Sequence, residues 1–132
     1  MNPDWEQAII QRDATKVRQL LAQGADINSN DAHGHTALMR AALKGDFRLA
    51  GILVEHGSNL DVTAKYNLSA LMLAVIGGHV EVVQILVGAG ADLSIRGSNA
   101  VPGFYGKTAL ALARDAGRTP IIQLLMDVQA PA

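Results

Sequence analysis

Ser-Ala-Leu-Met-Leu-Ala-Val-Ile-Gly-Gly-His-Val-Glu-Val-Val-Gln-Ile-Leu-Val-Gly-Ala-Gly-Ala-Asp-Leu, residues 69–93, is the stretch that decides the fold. It predicts two short helices. Ser69 can cap the first helix, Gly77 and Gly78 can end it, and residues 80–87 supply an apolar second helix. Neither helix can bury its apolar surface alone, so each needs a neighbour.

The same text recurs at an interval of 33 residues. Thr36-Ala-Leu-Met precedes Ser69-Ala-Leu-Met by one interval. The turns at Gly24, Gly57 and Gly90 are also spaced by this interval. A fixed period of this length is typical of a solenoid, in which each unit buries the apolar face of the next.

Three segments carry a resemblance to a known family. They are Thr-Ala-Leu-Met-Arg-Ala-Ala-Leu-Lys-Gly-Asp (36–46), Ser-Ala-Leu-Met-Leu-Ala-Val-Ile-Gly-Gly-His-Val-Glu-Val-Val (69–83) and Thr-Ala-Leu-Ala-Leu-Ala-Arg-Asp-Ala-Gly (108–117). Over about residues 4–128 the chain resembles the ankyrin repeat family. Where that family usually has histidine this chain has Met39, Met72 and Ala111, so we expect packing to hold more of the interface between units.

The resemblance implies an all-α ankyrin-repeat solenoid of four stacked helix-turn-helix units with projecting hairpin-like turns. We expect one domain over residues 1–132, divided at about 1–30, 31–63, 64–95 and 96–128. The first unit is predicted to be the N-terminal cap, because Lys16 and Gln19 are polar where inner units are apolar. The last is predicted to be the C-terminal cap, with Arg114 facing solvent and six extra residues lengthening the turn between Ser94 and Gly106.

Three single residues allow sharper expectations. Trp5 aligns with apolar positions of the other units and should pack inward. Arg12 replaces a turn glycine for which a positive φ is expected, so the turn should be distorted or frayed at a cost of about 1 kcal/mol. Asn67 replaces Gly34, and asparagine tolerates the left-handed conformation, so that turn should survive.

Composition restricts the classes of function. The formal charge is −1, with 11 basic and 12 acidic residues, which argues against a general nucleic-acid or anionic-membrane binder. Cysteine is absent, so disulfides and cysteine-ligated metals are excluded. No apolar run reaches the roughly 18 to 20 residues of a membrane helix, and the first residues lack a secretory pattern. We therefore expect a soluble cytoplasmic protein without a cofactor.

One constellation could support chemistry. Asp31-x-His33-x-His35 offers two imidazoles and a carboxylate, and a small metal-binding protein or metal-dependent enzyme is the alternative function. The competing interpretation is a solvated or partner-contacting turn. Gly88-Ala-Gly90 follows a helix and not a strand, so it closes that helix and does not indicate a dinucleotide site. No catalytic arrangement of serine, histidine and carboxylate is visible, and we predict that the protein is not an enzyme.

Bulky side chains on the projecting turns are the remaining candidates. Tyr66, Phe104 and Tyr105 lie in turns that a packed core does not require, and such aromatics are favoured interface anchors. Alternatively, Phe104 and Tyr105 fold back against the turn of the third unit. The resemblance implies a protein partner bound in the concave groove formed by the turns and first helices, with the chain acting as a monomeric adaptor or inhibitor. The implied contact positions are His33, His35, Leu43, Lys44, Lys65, Tyr66, Leu68, Ile76, Phe104, Tyr105 and Asp115.

Overall fold

The computed structural model describes residues 1–98 and 102–129, and these residues contain eight α-helices. They follow one another as four pairs, and isolated β-bridges at Asn30–Thr36, Thr63–Ser69 and Gly97–Tyr105 mark the turns between pairs. The helices are α1 Pro3–Ile10, α2 Ala14–Ala22, α3 Ala37–Lys44, α4 Phe47–Glu55, α5 Ala70–Gly77, α6 Val80–Gly88, α7 Ala109–Asp115 and α8 Thr119–Gln129.

Five helix starts have a local cause in the sequence. Before α3, α5 and α7, the side chains of Thr36, Ser69 and Thr108 accept a hydrogen bond from the backbone N–H three residues later. Asp13 and Asp46 cap α2 and α4 in the same way. These caps satisfy N–H groups that have no partner inside the helix, and the cap at Ser69 agrees with the sequence-based expectation.

The helices form two layers. The first helices of the pairs pack in the order α1, α3, α5, α7, and the second helices in the order α2, α4, α6, α8. Leu38 and Leu71 are buried in the first layer, and Leu53 and Leu86 in the second. Trp5 occupies the position of Leu38 in the first pair and is buried, as predicted. The core is therefore shared between consecutive pairs, as expected for a solenoid.

The polar side chains noted at the two ends of the stack face solvent, and the assignment of these ends as caps stays a prediction. Lys16 and Gln19 on α2 and Arg114 on α7 are exposed. These polar side chains face solvent at positions where the inner pairs pack against a neighbour. The division into units at 1–30, 31–63, 64–95 and 96–128 stays a prediction. Among the described residues, no helix has the length and apolar character needed to cross a membrane.

The turn after α1 keeps the conformation of its glycine-containing equivalents. Arg12 has φ 56°, and Gly45 has φ 74°. The backbone N–H groups of Arg12 and Asp13 donate to carbonyls of α1 at 3.1 and 3.0 Å, matching the pattern after α3. The expectation of a distorted or frayed turn was therefore wrong, although the positive φ was predicted correctly.

The neighbouring unit explains why a long side chain is accepted at this position. A Cβ at Gly45 would lie 2.5 Å from the His79 ring. Arg12 instead faces Asp46, the shorter residue at the position equivalent to His79. Its guanidinium lies 3.8 Å from the Asp46 carboxylate and donates to the carbonyl oxygen of Lys44 at 3.5 Å. The Arg12 side chain is accommodated by these weak contacts while the backbone remains in the left-handed region.

The extra residues of the long turn lie after Gly97. The N–H of Gly97 donates to the Lys107 carbonyl at 3.0 Å, as Asp31 does to His35 and Ala64 to Leu68. Gly97 therefore holds the 33-residue register, and the six additional residues fall in 98–103, within the predicted interval. The part of that interval at 99–101 lies outside the described residues.

A hydrogen-bond ladder runs along the turns that follow the second helices. The side chain of Asn28 accepts from the backbone N–H of Asn59 at 2.8 Å, and Asp61 accepts from Asp92 at 2.9 Å. The hydroxyl and the backbone N–H of Ser94 both bond the Asp92 carboxylate and hold its pKa below the ordinary value. This ladder joins successive units just after the C-terminal ends of the second-layer helices.

Candidate protein-binding surface

Three equivalent positions on successive first-layer helices carry exposed apolar side chains. Ile10 on α1, Leu43 on α3 and Ile76 on α5 are 53%, 46% and 36% exposed, and they are spaced by 33 residues. The fourth equivalent position is Asp115, whose carboxylate pairs with Lys107. Residues 10, 43 and 76 are called the apolar row below. Leu43 and Ile76 were predicted contact positions, whereas Ile10 was missed even though the same 33-residue step leads to it.

A pocket of about 230 Å³ opens between α1 and α3, at the first two members of the apolar row. Buried side chains form its floor, exposed apolar side chains its sides, and charged groups its rim. The lining residues are Ile9, Ile10, Arg12, Arg40, Ala41, Leu43, Lys44, Asp46 and Leu49. The sequence patterns considered above did not identify this pocket, because its two walls come from different units.

The three cations of the pocket differ in how strongly they are neutralised. Arg40 donates from Nε and Nη2 to the Asp31 carboxylate at 3.0 and 2.6 Å. Arg12 makes a longer ion pair, with 3.8 Å between its Nε and the Asp46 carboxylate, and its side chain is largely exposed. Lys44 is exposed and has no ion pair within residues 1–98 and 102–129. The rim therefore retains positive charge at Lys44 and Arg12.

The Asp31 carboxylate organises the turn before α3. Its Oδ1 accepts from the backbone N–H groups of His33 and His35 at 2.8 and 3.0 Å. Burial raises the pKa of Asp31, but the hydrogen bonds from His35, His33 and Arg40 outweigh that effect and hold the pKa below its ordinary value of 3.8. Asp31 is thus a structural carboxylate, buried and ionised.

This arrangement removes the basis for the metal-binding alternative. The carboxylate of Asp31 is already engaged by Arg40 and by two N–H groups. The rings of His33 and His35 lie 6.3 Å apart between centroids. Within the described parts of the chain, no group of three or more His, Cys, Asp or Glu residues could hold a metal ion. His33 is exposed, whereas His35 is half-buried with its Nδ1 4.0 Å from the Asp31 carboxylate.

The aromatic turn residues differ in how they pack. Phe104 packs against Tyr66 with 5.7 Å between ring centroids, and Lys65 Nζ lies 5.0 Å from the centroid of the Tyr66 ring. Phe104 therefore folds back on the turn of the third unit, as the alternative interpretation proposed. Tyr105 is 66% exposed and does not follow that alternative.

The exposure expected for Leu68 was wrong. Leu68 is only 5% exposed and belongs to the core, so it cannot offer its side chain to a partner. Its neighbour Lys65 is exposed, as are Lys44 and Asp115, in agreement with their predicted surface positions. The turn therefore presents an exposed lysine and a half-buried Tyr66, while the buried Leu68 packs in the core.

The arrangement of helices defines a class of protein, the helical repeat stack with a preformed surface shared between units. The family model for ankyrin repeats, in three copies, matches residues 6–97. The chain belongs to the ankyrin repeat family. Ankyrin repeats are generally protein–protein interaction modules and are typically not catalytic. No curated protein matches the chain significantly. Helices α7 and α8 lie beyond the matched residues, and the count of four units stays a prediction.

Proposed function

We propose that the chain is a non-catalytic protein-binding module that recognises a partner protein through the apolar row, the adjacent pocket and the exposed turn residues. The observation that carries this proposal is the apolar row itself, with an exposed Ile or Leu at three equivalent positions. A single exposed apolar side chain needs no explanation, but a contiguous set is typical of an interaction surface. Family membership supports the same class of function.

The wider surface includes polar positions around the row. His33, His35 and Lys65 lie on the turns, and Asp115 lies at the end of the row. Binding would use preformed shape with little backbone rearrangement, as most pre-organised complexes do. We further propose that the chain works as a monomeric adaptor or inhibitor in the cytoplasm. Sedimentation velocity should then give one species near 13.9 kDa, and a dimer would contradict the monomer.

Capture from native lysate tests the proposed function. The variant Leu43→Ser with Ile76→Ser should lose the captured partner, because it removes two members of the apolar row. The matched control is Met126→Ser with Val128→Ser on α8, where the side chains are 43% and 50% exposed. Equal loss of partner in both variants, or loss in the control alone, would exclude the apolar row as the site.

The turn tips need a separate variant. Tyr105→Ala removes an exposed ring without touching the packed Tyr66–Phe104 pair. We expect weaker capture with unchanged helical circular dichroism, because an exposed aromatic side chain that becomes buried at an interface can contribute about 1 kcal/mol or more to binding. Unchanged capture would remove Tyr105 from the proposed surface.

A further inference from the structure

The pocket between α1 and α3 has the size and lining of a site for one bulky apolar side chain. Ile9, Ala41 and Leu49 are buried around it, and Ile10 and Leu43 are only partly covered. Its volume of about 230 Å³ exceeds the roughly 150 Å³ of a cavity that holds benzene. An apolar side chain from a partner would cover both exposed side chains at once.

The charge on the rim indicates what accompanies that side chain. Lys44 has no ion pair within the described residues, and Arg12 is held only loosely by Asp46. Arg40 is not available in the same way, because Asp31 already neutralises it. A carboxylate beside the inserted apolar side chain would match Lys44 and Arg12, whereas a cation there would be repelled.

The spacing of the apolar row favours an α-helical partner over a β-strand. Packed helices lie roughly 8–10 Å apart, which sets the distance from one member of the row to the next. Seven residues of an α-helix span about 10.5 Å and return to nearly the same face. Same-face residues of a β-strand recur at about 6.6 or 13 Å, and neither distance fits. A polyproline II segment repeats at about 9.3 Å and matches the spacing, so the extended peptide below is tested against the helical one.

We propose that the partner segment is an acidic amphipathic helix with apolar residues seven apart. One apolar residue enters the pocket between Ile10 and Leu43, and the next packs between Leu43 and Ile76. An Asp or Glu beside the first residue pairs with Lys44 and Arg12. This inference rests on the proposed function and adds the chemistry of the partner.

Fluorescence anisotropy with designed peptides tests the proposal. The probe is a labelled peptide, cross-linked to stay helical, with leucines seven residues apart and a glutamate beside the first. The wild-type protein should bind it at least about fivefold more tightly than the Glu→Lys peptide. The Lys44→Glu protein should reverse that preference, and Lys16→Glu, an equal charge change on α2, should not. Equal binding of both peptides by the wild-type protein would overturn the acidic flank.

Two further peptides test the helical spacing. A helical peptide with leucines five residues apart should bind at least tenfold more weakly, and so should a proline-containing extended peptide of the same composition. Tighter binding of the extended peptide would overturn the helix. If none of the peptides binds while Leu43→Ser with Ile76→Ser still abolishes partner capture, the proposed function stands and the acidic helix is rejected.

Discussion

Two buried serines show that the effect of a buried hydroxyl on stability depends on whether it has a hydrogen-bond partner. The hydroxyl oxygen of Ser69 accepts from the Met72 N–H at 3.3 Å and caps α5. The buried hydroxyl of Ser58 has no hydrogen-bond partner among the described residues, and alanine occupies the equivalent positions 25 and 91. A buried polar group without a hydrogen-bond partner destabilises the folded state, whereas a helix cap stabilises it.

Replacing these serines should therefore have opposite effects. Ser58→Ala should raise the free energy of unfolding by roughly 1 kcal/mol, and Ser69→Ala should lower it by about the same amount. Urea denaturation measures both changes. A loss of stability in Ser58→Ala would mean that its hydroxyl is bonded in solution.

The buried carboxylate of Asp31 makes stability depend on pH. Asp31→Asn should lower the free energy of unfolding by roughly 1–3 kcal/mol at pH 7, because the Arg40 guanidinium loses its closer charged partner and keeps the more distant Glu6, at 3.8 Å. The pKa of Asp31 is lower in the folded chain than its ordinary value of 3.8. The stabilisation is thus fully present above that value and is lost as pH falls below it, through the folded-state pKa.

Denaturation of both proteins between pH 7 and pH 2.5 measures this dependence. The difference between wild type and Asp31→Asn should stay constant down to about pH 4 and then shrink. A difference that persists undiminished at the lowest pH would show that the Asp31 charge is not its source.

In the turns, the sequence predicted backbone conformation better than it predicted side-chain burial. The left-handed conformations of Arg12 and Asn67 followed from alignment with turn glycines, and both are present. The positive φ of Tyr66 was not predicted. In this turn Ala64 replaces Asp31, whose carboxylate fixes the equivalent turn through hydrogen bonds to the backbone. The burial of Leu68 was also missed, because a turn side chain is covered by neighbouring segments that a local pattern does not encode.

Among the elements, the long turn depends most on one glycine. A Cβ at Gly97 would lie 2.1 Å from the carbonyl oxygen of Phe104, so the backbone of the turn would have to move. Asp31 and Ala64 carry a Cβ at equivalent positions, but their turns lack the six added residues. Gly97 is therefore required by the close return of the chain and not by its own φ.

Gly97→Ala should lower the free energy of unfolding by roughly 1–3 kcal/mol and loosen the packing of Phe104 on Tyr66. Urea denaturation and the ring signals of Phe104 in NMR spectra measure the two effects. Gly103→Ala is the matched control in the same turn, because a Cβ there would meet nothing within 4 Å. Equal effects of the two substitutions would contradict the role assigned to the close approach.

The helices were predictable because their signals are local and repeated. Caps such as Thr36 and Ser69 lie beside apolar runs of the correct period, and the turn glycines recur every 33 residues. The position of the added residues was bounded but not fixed, because the register depends on the hydrogen bonds of Gly97 with Lys107 and Gly106. These contacts join residues that the period alone does not pair.

For the whole molecule, adjacent pairs supply both the stability and the candidate site. Each first-layer helix packs on the next, and the apolar row has one member from each of three pairs. The pocket likewise needs α1 and α3 together. Family resemblance predicted that Leu43, Lys44 and Ile76 lie on a binding surface. The pocket was not predicted, because residues of two stacked units form it together.

Hydroxyl-radical footprinting of the free chain and of its complex with the captured partner tests the central claim most directly, because it reports the exposure of individual side chains. Oxidation of Leu43, Ile76 and Tyr105 should fall on binding, while oxidation of Met126 on α8 should not change. Protection of Met126 and Val128 with unchanged oxidation of Leu43 and Ile76 would contradict recognition through the apolar row.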